Sequence, residues 1–88
     1  MKKLIGKESA IQKKIKANLE KEGWLVIKLI QTTMNGIPDL LLLREGRTVF
    51  VEVKQPGASS TPLQEYIQEK LRGRGVEVYE TCNPDFHL

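Results

Sequence analysis

Two apolar runs separated by a glutamate–glycine pair constrain this chain more than any other feature. Residues 37–44 read IPDLLLLR, residues 48–54 read TVFVEVK, and Glu45 and Gly46 stand between them. A pair ending in glycine between strand-forming residues marks a hairpin, because glycine accepts the positive φ that tight connections demand. Both runs are therefore predicted strands, with Pro38 tolerable only near the start of the first, since proline cannot donate to a ladder. Side chains alternate along a strand, so Val49, Val51 and Val53 share one face while Glu52 and Lys54 share the other. Alone, that charged pair reads as a solvated ion pair.

The turn changes its meaning. A two-residue turn pairs Arg44 with Arg47, and counting back along both strands puts Asp39 opposite Glu52, with Cβ atoms about 5 Å apart. A four-residue loop gives the same pairing. A three-residue loop with a glycine bulge instead sets Asp39 opposite Val53, on the wrong face. In the first register two carboxylates face each other, which costs energy unless a positive charge sits between them. A divalent cation meets that need: magnesium takes one or two carboxylates plus water and phosphate oxygens, in octahedral geometry at about 2.1 Å. Such an ion polarises a phosphoryl oxygen and acidifies a bound water. Lys54 is placed to orient that water or to offset charge developing on the phosphate. The Val53 carbonyl, between the two charged residues in sequence, is a further candidate ligand.

Around the hairpin, the pattern predicts a helix from about Lys7 to Glu22, stopped by Gly23, and a strand over residues 24–30. Residues 31–36 and 55–60 are loops. Thr61 and Pro62 open a second helix, as cap and first helical residue, with Leu63, Ile67 and Leu71 as its buried stripe, joined by Tyr66. Gly73 and Gly75 end it, and residues 76–79 alternate as a last short strand. The order helix, three strands, helix, strand implies an α/β fold with a mixed sheet flanked by helices. At about 100° per residue, Ile11, Ile15 and Leu19 span about 80° of the first helix, and Glu8 falls among them at about 60°. An acid inside an apolar stripe is either a favourable first-turn charge or, beside Asp39 and Glu52, part of a metal site. Gln64 completes a Thr-x-x-Gln capping box and equally suits contact with Lys54 or a phosphate.

Composition excludes other chemistries. Cys82 is the only cysteine and His87, next to last, the only histidine, so thiolate metal cages and histidine-based nucleophilic mechanisms are not expected. The longest uncharged apolar run near the hairpin is Leu40 to Leu43, far short of a membrane span, and residues 1–6 have too short an apolar part for an export signal; a cytoplasmic protein is expected. Residues 1–28 hold eight lysines against three glutamates, a balance of +5, and the remainder holds six basic against eight acidic residues, a balance of −2. Lys13, Lys14 and Lys16 are thus candidates for contacts to a polyanion, as are Thr32, Thr33 and Asn35 in the loop before Asp39. A solvated helix face and a plain connector explain them as well. Trp24, Phe50 and Tyr66 are expected to be packed rather than stacked on bases.

Residues 36–39 (GIPD), 51–54 (VEVK) and 61–64 (TPLQ), in that order, resemble the motifs of the PD-(D/E)XK nuclease superfamily, and above all its VRR-NUC family, the virus-type replication-repair nucleases. The resemblance spans nearly the whole chain, so residues 1–88 read as a single nuclease domain of a stand-alone, phage-encoded type. It implies a restriction-endonuclease-like core, with Asp39 and Glu52 as metal-binding carboxylates, Lys54 as catalytic lysine, Glu8 as the acid of the first helix and Gln64 as the glutamine of the helix after the sheet. The implied activity is magnesium- or manganese-dependent endonuclease cleavage of DNA, selective for branched forms such as four-way (Holliday) junctions. A homodimer follows, since two symmetric cuts need two active sites. Structure-specific DNA binding without cleavage, flap or single-strand cleavage, and a plain protein-interaction module are the competing expectations.

Overall fold

The computed structural model describes residues 7–88; the basic start at residues 1–6 lies outside the described residues. Helix α1 (Lys7–Lys21) is followed by strands β1 (Leu25–Lys28), β2 (Leu40–Arg44) and β3 (Arg47–Val53), helix α2 (Pro62–Arg72) and strand β4 (Glu77–Thr81). The strands lie in that order in one sheet, antiparallel through β1, β2 and β3, with β4 parallel to β3. The mixed α/β architecture and its element order match the expectation.

The hairpin decides the register. Glu45 and Gly46 both hold positive φ, 48° and 81°, the two-residue turn whose twist suits antiparallel strands. Arg44 consequently pairs with Arg47 and Leu40 with Val51, the register that carries Asp39 opposite Glu52. Val49, Val51 and Val53 have no solvent exposure and pack with Leu40, Leu42, Val26 and Trp24 beneath Ile11, Ile15 and Leu19 of α1. Phe86 and Leu88 pack against the edge of this core. Glu52 faces the other side, where α2 lies.

Strand boundaries depart from the sequence reading in every strand, β3 by a single residue at each end. Trp24 is not in β1. Its amide donates to Leu19 O at 3.1 Å and the Gly23 amide to Glu20 O at 3.1 Å, so it closes the C-terminal cap of α1, with Gly23 at φ +94°. Its buried ring then lies under the guanidinium groups of Arg44 and Arg47, 5.9 and 5.2 Å from the centroid. Strand β1 ends at Lys28, and Ile30 stands 85% exposed in the following loop. Strand β2 begins at Leu40 rather than residue 37, because Pro38 offers no amide hydrogen to continue the ladder. The last strand runs two residues further than expected, to Thr81, where it still pairs with Val53.

The buried stripe of α2 is also corrected. Leu63 and Tyr66 are 48% and 59% exposed, and the buried pair is Ile67 with Gln68, whose amide donates to Ser60 Oγ at 3.2 Å. The helix covers only the β3–β4 half of its face. Leu25 and Ile27 of β1, on the other half, remain 58% and 38% exposed.

Candidate active site

The site forms where β2 begins and β3 ends. Residues facing across an antiparallel pair alternate between hydrogen-bonded pairs and closer, non-hydrogen-bonded ones. The two-residue turn makes Arg44–Arg47 a hydrogen-bonded pair, so Asp39–Glu52 falls in the non-hydrogen-bonded class, where side chains approach most closely. The next pair matches Pro38 with Val53. The paired ladder ends at Leu40 and Val51, and the Val53 amide donates to Asp39 Oδ2 at 2.8 Å and so fixes that carboxylate. The Val53 carbonyl points the same way and meets a proline with no N–H, which leaves it without its usual ladder donor. Pro38 was not singled out in the sequence for this role, although its place in the ladder follows from the hairpin count.

Lys54 and Gln64 complete the group. Helix α2 starts with a full capping box: Thr61 Oγ1 accepts from the Gln64 amide at 3.2 Å, and Gln64 Oε1 accepts from the Thr61 amide at 2.9 Å. The same Gln64 Oε1 accepts from Lys54 Nζ at 2.7 Å, and Gln64 Nε2 donates to Glu52 Oε2 at 3.3 Å. Lys54 Nζ lies 3.4 Å from Glu52 Oε2. The two roles open for Gln64 in the sequence are therefore one: it caps the helix and clamps the charged pair.

Electrostatics report the strain of two facing acids. Burial, then the Asp39 charge, pushes the Glu52 carboxyl up to about 7 against the pull of Lys54. Burial also raises Asp39, with Glu8 adding to the rise and the Val53 amide, Lys54 and Lys28 opposing it. Lys28, absent from the sequence candidates, thus sits close enough to act on Asp39. Glu8, half-buried on α1, is felt by both carboxylates. Among the described residues no three Asp, Glu, His or Cys side chains converge tightly enough to hold an ion by themselves. One oxygen of Asp39 and one of Glu52 take no hydrogen bond from a described residue. Two facing acids with free oxygens, beside a carbonyl without a ladder donor, fit a hard divalent cation that completes its shell with water or phosphate oxygen.

The VRR-NUC domain model matches residues 3–83 of the chain. The chain belongs to the VRR-NUC family. It is 33% identical over 73 residues to "Putative nuclease p44" of Acyrthosiphon pisum secondary endosymbiont phage 1, a match covering 82% of this chain and 78% of that protein. It is also similar to a solved structure described as a VRR-NUC domain, at 38% identity and a TM-score of 0.78, covering 86% of this chain and 84% of the other. The fold and the nuclease class expected from the motifs are thereby established.

Elsewhere on this VRR-NUC domain the remaining candidates are spread out. Lys13 and Lys14 are exposed and Lys16 partly so; Lys14 Nζ reaches Asp85 at 3.3 Å and Lys16 Nζ reaches Glu20 at 2.7 Å. Thr32, Thr33 and Asn35 are exposed in the loop before Asp39, and the Thr32 hydroxyl donates to Met34 O at 2.8 Å. Phe50 is half-buried, as packing requires, while Tyr66 lies open beneath Lys70 Nζ, 5.2 Å from its ring centroid. Cys82 is exposed, and His87 is exposed near the C-terminus. No helix among the described residues is long and apolar enough to cross a membrane.

Proposed function

We propose that the chain is a magnesium- or manganese-dependent endonuclease that hydrolyses DNA phosphodiester bonds, preferring branched DNA such as four-way junctions. One observation carries the reading: Asp39 and Glu52 face each other across the hairpin with Lys54 on the same side. Asp39, Glu52 and the Val53 carbonyl would hold the ion, with Glu8 acting through water and the ion's charge. When bound, the ion polarises the scissile phosphoryl oxygen and lowers the pKa of the attacking water. The protein side chains supply the rest. The Val53 amide and Gln64 hold the two carboxylates in place, so no reorganisation is needed as substrate arrives. Lys54, held by Gln64, directs its amine at the phosphate and offsets the negative charge that grows there. Lys13, Lys14 and Lys16 contact the DNA backbone, and Thr32, Thr33 and Asn35 approach the strand near the cut.

Cleavage of both sides of a junction uses two copies of a one-site chain, so the active form is a twofold homodimer, acting in the host cytoplasm if the chain is phage-encoded. The test is incubation of a labelled four-way junction with the chain, in magnesium and in EDTA. Metal-dependent product is expected, and Asp39→Ala, Glu52→Ala and Lys54→Ala should each abolish it while circular dichroism stays native. Tight junction binding without product in either metal would assign structure-specific binding instead.

A further inference from the structure

We propose that the concave loop between β1 and β2 seats an unpaired nucleobase of the substrate strand beside Asp39. This deepens the nuclease reading above and rests on it. Residues 29–32 and 34–37 line an open concavity of about 330 Å3. Its lining is mainly polar, with Gln31, Thr32 and Asn35 beside the apolar residues Leu29, Ile30, Met34 and Ile37.

The lining identifies the ligand class. No lining residue carries a charge. A phosphate or a cation in this cavity would lack a compensating charge, which is costly. A nucleobase is neutral, with apolar faces and an edge of donors and acceptors, and proteins hold unstacked bases by stacking plus hydrogen bonds to that edge. The Thr32 hydroxyl is occupied within the loop by Met34 O. Gln31 and Asn35 are exposed, and the amide of each carries a donor and an acceptor that suit a base edge. Ile30 and Met34 are 85% and 46% exposed with no packing role, and a stacked base would cover them.

The cavity is tied to the reaction centre at both ends. The Leu29 amide donates to the backbone carbonyl of Asp39 at 2.8 Å, closing the loop on the aspartate itself. Gly36, at φ +87°, lies so near α2 that a Cβ there would stand 3.0 Å from Leu63 Cγ and 3.1 Å from Ile67 Cγ1. The loop is therefore held in shape before any strand arrives, which lowers the cost of binding. A base seated here belongs to a nucleotide next to the phosphate at Asp39. That base must already be out of the stack, and it is cheapest to extract at a branch, flap or mismatch. The cavity thus provides a physical origin for structure selectivity.

The test compares three DNAs in EDTA: a matched duplex, the same duplex with one unpaired 2-aminopurine, and the same duplex with an abasic residue at that position. The wild-type chain should bind the base-bearing form roughly tenfold more tightly than the abasic form, and 2-aminopurine fluorescence should change on binding. Ile30→Ala combined with Met34→Ala should bring that ratio close to one, with native circular dichroism expected because both side chains are exposed. A ratio of one in the wild type, or a ratio that survives the folded double variant, overturns the proposal. Manganese-dependent cleavage is scored separately. Cleavage with no base preference would refute the cavity's role alone, whereas base preference without cleavage of any DNA would refute the nuclease reading.

Discussion

Replacing Glu52 by glutamine should destroy activity and yet make the metal-free protein more stable at alkaline pH. The folded carboxyl titrates at about 7, against 4.5 when free. A folded-state pKa raised in this way contributes full stability below the free value and loses it as pH climbs through the folded one. At about 1.4 kcal/mol per pH unit the difference is worth about 3 kcal/mol. Glutamine still buries a polar amide at this 3%-exposed position, so a gain of about 2 kcal/mol is expected for Glu52→Gln at pH 8. For a domain of this size that raises the melting temperature by roughly 8–16 °C. Thermal unfolding followed by circular dichroism in EDTA measures it. At pH 4 wild type and variant should melt together, and the gap should open between pH 4.5 and 7. Millimolar magnesium should then stabilise the wild type at pH 8 and leave the variant unmoved. Equal melting at pH 8, or a gap of the same size at pH 4, would refute the idea that burial beside a second acid holds the Glu52 carboxyl up.

Pro38→Ala restores an amide opposite the Val53 carbonyl, so manganese affinity, read by electron paramagnetic resonance, should fall roughly tenfold; unchanged affinity would remove that carbonyl from the ligand set. Gln64→Glu keeps the capping pattern but adds a negative charge beside Glu52, and should lower kcat while helix content at neutral pH holds. Gly36→Ala combines a positive φ with a close contact and should cost about 1–3 kcal/mol in urea unfolding, together with activity. Light scattering should give twice the 10.0 kDa chain mass, and Ile27→Glu, on the uncovered half of the sheet, should return the monomer if that face joins the two copies.

How far the sequence is legible follows from the range of the forces involved. The hairpin register was readable because a glycine turn is local and period-two alternation fixes faces, so Asp39, Glu52 and Lys54 could be placed together. The capping box was readable for the same reason. Long-range choices were not. Trp24 satisfies every local criterion of a strand residue, but its amide is captured by the end of α1. Leu63 and Tyr66 share the helical spacing of Ile67, yet both stay exposed and Gln68 is buried in their place. The bidentate contact of Arg47 with Glu77, at 2.7 and 2.9 Å, depends on a parallel pairing set by the whole α2 crossover, which no local pattern encodes. The role of Pro38 was hidden differently: it lies in a missing hydrogen, and only a drawn ladder exposes it.

Gln64 gives this small enzyme a shared point of failure. Whatever opens the first turn of α2 also releases the amine and one acid at the same instant. Fraying there need not unfold the sheet to silence the chain. Gentle heating should therefore extinguish activity before the bulk of the molecule melts, and cooling should return it without refolding from scratch.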